Sequence, residues 1–164
     1  MVGDAGPRTF SSGLGSRWCA EATSVNLGVL TGFGDGEAFT VGNASARRMK
    51  EGPDVDVVNL SLSGYTDDNQ PPVVIQKAIA ALINQGNNPV VVAAAGNNAS
   101  SRPAYPAALS DVIGVAAVND TSRAWFSNYG PWVTACAPGV DVVSTFFVGF
   151  NGPAATYAGF DDPD

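Results

Sequence analysis

The stretch Pro89-Val90-Val91-Val92-Ala93-Ala94-Ala95-Gly96-Asn97-Asn98 decides the fold. It opens as an apolar, β-branched run and closes in small residues, a glycine and two amides, the pattern of a buried strand entering a tight polar turn. In an α/β sheet, binding and chemistry gather at the carboxyl ends of such strands. A second stretch, Asp54-Val55-Asp56-Val57-Val58-Asn59-Leu60-Ser61-Leu62-Ser63-Gly64, has the same form. Between them, Val74, Ile75, Ala78, Ile79, Leu82 and Ile83 recur at intervals of three and four. That spacing predicts an amphipathic helix from Val74 to Ile83, with Gln76, Lys77, Asn84 and Gln85 toward water. Gly86-Asn87-Asn88-Pro89 stops the helix and turns the chain back. Strand, helix and strand in this order imply a parallel crossover, which brings Leu60-Ser61 and Ala95-Gly96 side by side at one edge of the sheet.

Further strands are expected near Val25–Leu30 and Val112–Val118, so the fold class is α/β with a mostly parallel sheet. Met1 to Ala20 reads as an irregular lead-in rich in serine and glycine, with Trp18 and Cys19 as the first core contacts. The glycine-rich turn Thr31-Gly32-Phe33-Gly34-Asp35-Gly36 is not a phosphate cradle, because no Gly-Lys-Ser/Thr follows and the dinucleotide spacing is absent. Tyr65 to Pro72 is a polar loop. Its adjacent Asp67 and Asp68 invite a calcium reading, but the order of an EF-hand loop is missing and no metal ligand is assigned.

Composition narrows the function classes. The 164 residues are 45% hydrophobic, enough for one domain with a sizeable core, and only 14% are charged. A net charge of −7 argues against nucleic-acid binding. No apolar run has the length of a membrane span, and Met1 to Ser16 lacks the basic start and apolar core of a signal peptide. Cys19 and Cys136 are too few for a disulfide scaffold, and the spacing leaves open whether they are two thiols or one bridge. The chain has no histidine at all. A Ser-His-Asp or Cys-His arrangement therefore cannot be built from it, and zinc sites with imidazole or four thiolates are excluded with it. No cofactor is implied.

Several segments, taken in order, resemble the subtilisin-like serine peptidases, the subtilases. Asn59-Leu60-Ser61-Leu62 is similar to the strand lining the family's substrate cleft, whose backbone pairs with a bound peptide. Ser63 stands where that family usually has glycine, and its side chain would narrow the cleft. Ala94-Ala95-Gly96-Asn97 resembles the oxyanion-hole segment, with Asn97 at the position of the amide that stabilises the oxyanion. Tyr105-Pro106-Ala107 resembles a segment carrying a cis proline beside the specificity pocket. Phe126-Ser127-Asn128-Tyr129-Gly130 resembles a later turn, and Trp132 to Thr145, with its Ala137-Pro138-Gly139-Val140, resembles the two strands that follow. The resemblance implies a three-layer sheet with helices on both faces and a further helix over Glu37–Lys50. It covers residues 25–148 of a single subtilase-like domain, with 1–24 as the irregular lead-in and 149–164 as a divergent tail.

Segments matching the catalytic Asp, His and Ser are not found, so the domain is expected to be incomplete. The implied activity is peptide-bond hydrolysis by acyl transfer. This chain is expected to be inactive alone, with Asn97 the one residue of the catalytic class. Leu60, Ser61, Leu62, Ser63, Gly64, Ala94, Ala95 and Gly96 are the expected substrate-binding residues. The alternatives are a non-catalytic protein that binds an extended peptide by backbone pairing, and one part of a split peptidase completed by another chain. Self-association through uncovered apolar surface is a further expectation, while nucleic acid and membrane are not expected partners. Complete relatives of this kind are often secreted, and nothing in this sequence assigns a compartment.

Overall fold

The structure, a computed structural model, describes residues 5–26, 55–84 and 88–145. The chain forms two compact units, one of residues 1–34 with 143–164 and one of residues 35–142.

In the first unit, Ala5–Trp18 forms helix α1. This corrects the irregular lead-in expected there. Pro7 sits in the first turn, where its missing N–H is not needed, and Arg17 sits in the last turn, where a cation suits the helix dipole. The glycines and serines that suggest a loop weaken a helix without forbidding it, at about 1 kcal/mol for each glycine. Trp18 is 84% exposed and Cys19 is exposed, so neither is the core contact expected from sequence. From within the helix, the Ser12 hydroxyl donates to Asn26 Oδ1 at 3.1 Å. Val25 is exposed and lies in no strand. The strand expected from Val25 therefore does not begin there, and its remaining residues, like the helix expected over Glu37–Lys50 and the tail 149–164, lie outside the described residues.

Among the described residues, the second unit contains a four-stranded sheet of β1 (Val57–Leu60), β2 (Val90–Ala94), β3 (Ile113–Val118) and β4 (Ala135–Pro138), in that order across the sheet. Every pairing is parallel: Leu60 lies beside Ala93, Ala93 beside Gly114, and Val115 beside Ala135. Of the two strands that the resemblance implies after Phe126–Gly130, one is formed, and residues 139–145 are not in a strand.

Helix α2 (Val73–Ile83) connects β1 to β2 and packs on β2. It begins after Pro71-Pro72, where Pro72 at φ −58° is already suited to a helix start. It ends at Asn84, whose backbone N–H and side-chain Nδ2 both donate to Ala80 O, at 3.0 and 2.7 Å. The three-four spacing places Ile75, Ile79 and Leu82 on one buried side, as expected, while Val74, expected there too, is exposed. In β2, Val91 and Ala93 are buried and alternate with less covered neighbours.

Close backbone packing supports the middle of the sheet. A Cβ on Gly114 would lie 2.7 Å from Ala107 O and 3.3 Å from Trp132 O, so only glycine fits there. The Tyr105–Pro106 peptide is cis, as the resemblance implies. Both cysteines are free thiols. Among the described residues, no helix is long and apolar enough to cross a membrane.

Candidate functional site

The parallel register of β1 and β2 brings the candidate site residues together. Because Leu60 pairs with Ala93, the two chains leave the sheet at the same edge. Residues 61–64 and 94–97 therefore run out together, as the strand-helix-strand pattern predicts. Ser63 and Gly96 come close enough that a Cβ on Gly96 would lie 2.7 Å from Ser63 Oγ.

The first wall of the site is Leu60 to Gly64. Among the described residues β1 lies at one end of the sheet, and past Leu60 its chain is no longer paired with β2. Among the described residues, Ser61, Leu62 and Ser63 make no backbone–backbone hydrogen bond. The Ser61 hydroxyl accepts from Asn59 Nδ2 at 2.9 Å. Gly64 then pairs with Tyr105 as an antiparallel bridge, Gly64 N to Tyr105 O at 2.9 Å and Tyr105 N to Gly64 O at 2.8 Å. Unpaired backbone groups on an exposed strand edge can take up another extended segment.

The second wall is Ala94 to Asn97. Ala95 is fully buried, and its N–H donates to Val115 O at 2.9 Å. Gly96 has φ +102°, a left-handed value that an L side chain rarely adopts. Asn97 is exposed. Among the described residues, its side-chain amide makes no hydrogen bond. It is a free donor and acceptor at the mouth of the turn.

Beneath Asn97 lies a residue that the sequence presents only as part of a turn. Asn128 has no exposed surface, yet its side chain makes four hydrogen bonds. Its Oδ1 accepts from Asn98 N at 3.0 Å and Ser100 N at 3.1 Å. Its Nδ2 donates to Ala95 O and to Tyr65 Oη, each at 2.8 Å. Its own backbone N–H donates to Gly96 O at 2.9 Å. Two donor hydrogens and two acceptor lone pairs are all used, the full capacity of an amide side chain. Nothing in the sequence separates such an asparagine from an ordinary turn residue, because asparagines are mostly exposed.

The loop Tyr65 to Pro72 is tied down by Arg102 and Tyr105. Arg102 Nε donates to Asn69 Oδ1 at 3.0 Å and its Nη2 to Thr66 O at 2.8 Å. The guanidinium carbon stands 5.0 Å from the centre of the Tyr65 ring, a cation–π contact. The Tyr105 hydroxyl donates to Asn69 O at 2.9 Å. Burial raises the Tyr105 phenol above its ordinary pKa, and the nearby negative charge of Asp68 adds to this. Asp68 itself accepts from Gln70 N at 3.0 Å. Among the described residues there is no group of three or more His, Cys, Asp or Glu side chains that could hold a metal ion.

The profile of the subtilase family matches residues 15–159. A thermophilic serine proteinase of Bacillus sp. (strain AK1) is 55% identical over 49 residues, 29% of this chain and 12% of that protein. Subtilisin NAT of Bacillus subtilis subsp. natto is 37% identical over 107 residues, 65% of this chain and 26% of that protein. Among solved structures, a cold-adapted subtilisin-like serine proteinase superposes with a TM-score of 0.63 at 26% identity. That match covers 72% of this chain and 41% of the other. The chain thus spans well under half the length of these relatives. The shared architecture is the three-layer α/β fold, a parallel sheet flanked by helices.

Proposed function

The chain belongs to the subtilase family, and we propose that it supplies the peptide-binding wall and the oxyanion-stabilising amide of a serine endopeptidase site. In this reading, Ser61, Leu62 and Ser63 pair by their backbone with an extended substrate. Leu60 and Gly64 bound that strand, and Ala94, Ala95 and Gly96 form the facing wall. Asn97 Nδ2 donates to the oxygen that becomes negative as the scissile carbonyl is attacked. A donor aimed at developing charge in a site shielded from water is worth about 10²–10³ in rate.

The observation that carries this proposal is that, among the described residues, 61–63 make no backbone–backbone hydrogen bond and the neighbouring turn presents an exposed Asn97 whose amide has no partner. Both walls leave strands held in parallel register, so the sheet brings them out side by side. The chain holds no histidine, so it has no imidazole to take the proton from a serine. Acyl transfer at this site accordingly needs a nucleophile and base from elsewhere, and the chain alone binds peptide without cutting it.

The test is direct binding of a fluorescein-labelled extended peptide, followed by anisotropy, with the same mixture assayed for cleavage. Saturable binding with an intact peptide supports the proposal. Cleavage by the purified chain, or absence of any binding, overturns it.

A further inference from the structure

We infer that Asn128 and Tyr65 are positioning residues that hold Asn97 in place, an inference that rests on the reading of Asn97 as the oxyanion donor. Asn97 has no side-chain partner of its own among the described residues, so whatever orients its amide acts through its backbone. The residues on either side are both fixed by Asn128. Gly96 O takes the Asn128 backbone N–H at 2.9 Å, and Asn98 N donates to Asn128 Oδ1 at 3.0 Å. Ser100 N is held by the same oxygen at 3.1 Å. The clamp spans a turn with two left-handed residues, Gly96 at φ +102° and Ala99 at φ +50°. Left-handed turns of this kind persist where the surroundings determine them.

Tyr65 completes the clamp from the other wall. It follows Gly64 directly in the chain, and its hydroxyl accepts from Asn128 Nδ2 at 2.8 Å. The same nitrogen donates to Ala95 O, so the planar amide of Asn128 is fixed at both ends. One buried side chain therefore joins the strand proposed to pair with substrate to the turn that presents Asn97. An ordered peptide on residues 61–63 would find the donor already in place, which is the pre-organisation that oxyanion stabilisation requires.

The experiment uses the ¹⁵N-labelled full chain and two variants. Tyr65→Phe removes one hydrogen bond from a partly exposed ring and leaves the buried amide in place. Asn128→Asp keeps the acceptors and loses both donors. Backbone relaxation in the free protein is read at Asn97 and Asn98, with Ala93 in β2 as the internal control. In the unsubstituted chain all three are expected to show order parameters of about 0.85, the value of rigid backbone. In Tyr65→Phe, Asn97 and Asn98 are expected to fall below about 0.7 while Ala93 is unchanged. Asn128→Asp is expected to show the same selective loss more strongly.

Unchanged order at Asn97 in Tyr65→Phe overturns the inference, and so does a uniform fall that includes Ala93. The reading it rests on is tested separately by adding a blocked tetra-alanine peptide with a free C-terminal carboxylate. A saturable shift of the Asn97 side-chain amide, absent in Asn97→Ala, supports the oxyanion role. A peptide that shifts Ser61 and Gly64 without touching the Asn97 amide refutes that role and leaves the relaxation result to decide the clamp.

Discussion

Gly96 and Asn128 fit together as a pair. The Asn128 backbone N–H donates to Gly96 O at 2.9 Å, and the bare Cα of Gly96 faces the Asn128 side chain so closely that a Cβ would lie 2.6 Å from Nδ2. The glycine gives the turn its left-handed backbone and leaves room for the buried amide that holds it. Ser63 Oγ, at 2.7 Å from the same Cβ position, belongs to an exposed residue and can rotate away. Asn128 is fixed by four side-chain hydrogen bonds and cannot.

Gly96→Ala is therefore expected to destabilise the fold. Strain at φ +102° and displacement of Asn128 together cost about 2–4 kcal/mol. Urea denaturation followed by far-UV circular dichroism measures the loss, and a change below about 0.5 kcal/mol would contradict the clamp geometry.

Gly114→Ala tests a different kind of glycine. Its neighbours are the backbone oxygens of Ala107 and Trp132, which cannot rotate aside. Overpacking of this kind costs about 1–3 kcal/mol. The same denaturation experiment should show it, with no effect on peptide binding beyond what the loss of folded protein explains.

Tyr105 makes alkaline pH a probe of the loop beside the site. Its folded pKa is raised, by burial first and by Asp68 second, and the neutral hydroxyl donates to Asn69 O at 2.9 Å. A group whose folded pKa exceeds the unfolded value stabilises the fold below the unfolded pKa, near 10, and this contribution is lost as pH rises through the folded pKa. Stability should thus fall above about pH 10. Phenolate absorbance near 295 nm reports the titration. Asp68→Asn should bring the Tyr105 midpoint part of the way down, leaving the larger share due to burial.

The purified chain should not hydrolyse casein or short peptide esters above a matched blank, and a fluorophosphonate should label none of its serines. A serine hydroxyl without a base is a poor nucleophile near neutral pH. Lys77, one of two lysines that could serve as base, is exposed on α2. The other, Lys50, lies outside the described residues. Labelling of a single serine, lost on denaturation, would refute this expectation. If turnover were seen, Asn97→Ala should lower it about a hundredfold or more.

The crossover from β1 through α2 to β2 is legible in the sequence because its signals are local. They are β-branched runs for the strands, a three-four spacing for the helix, and glycine, asparagine and proline at the turns. The spacing predicts a helix over Val74–Ile83, and the helix spans Val73–Ile83; β2 runs from Val90 to Ala94, within the stretch read as a strand. Asn97 stands out because it follows a glycine at a strand end in a recognisable motif. Helix α1 escapes this reading because its serines and glycines carry no apolar stripe, so periodicity has nothing to register. Trp18 escapes it because hydrophobicity does not decide which large side chain finds a partner; at 84% exposure it finds little cover.

The sequence by itself determined the strand-helix-strand crossover, the absence of an imidazole base and the segments that would meet at the sheet edge. Those depend on residue type and short-range spacing alone. Only the tertiary structure decided that Asn128, 31 positions beyond Asn97, is the residue fixing its turn, and that Tyr65 reaches it from the opposite wall. A buried amide is favourable only when all its hydrogen bonds are met, and those partners come from segments distant in sequence that parallel pairing brings together.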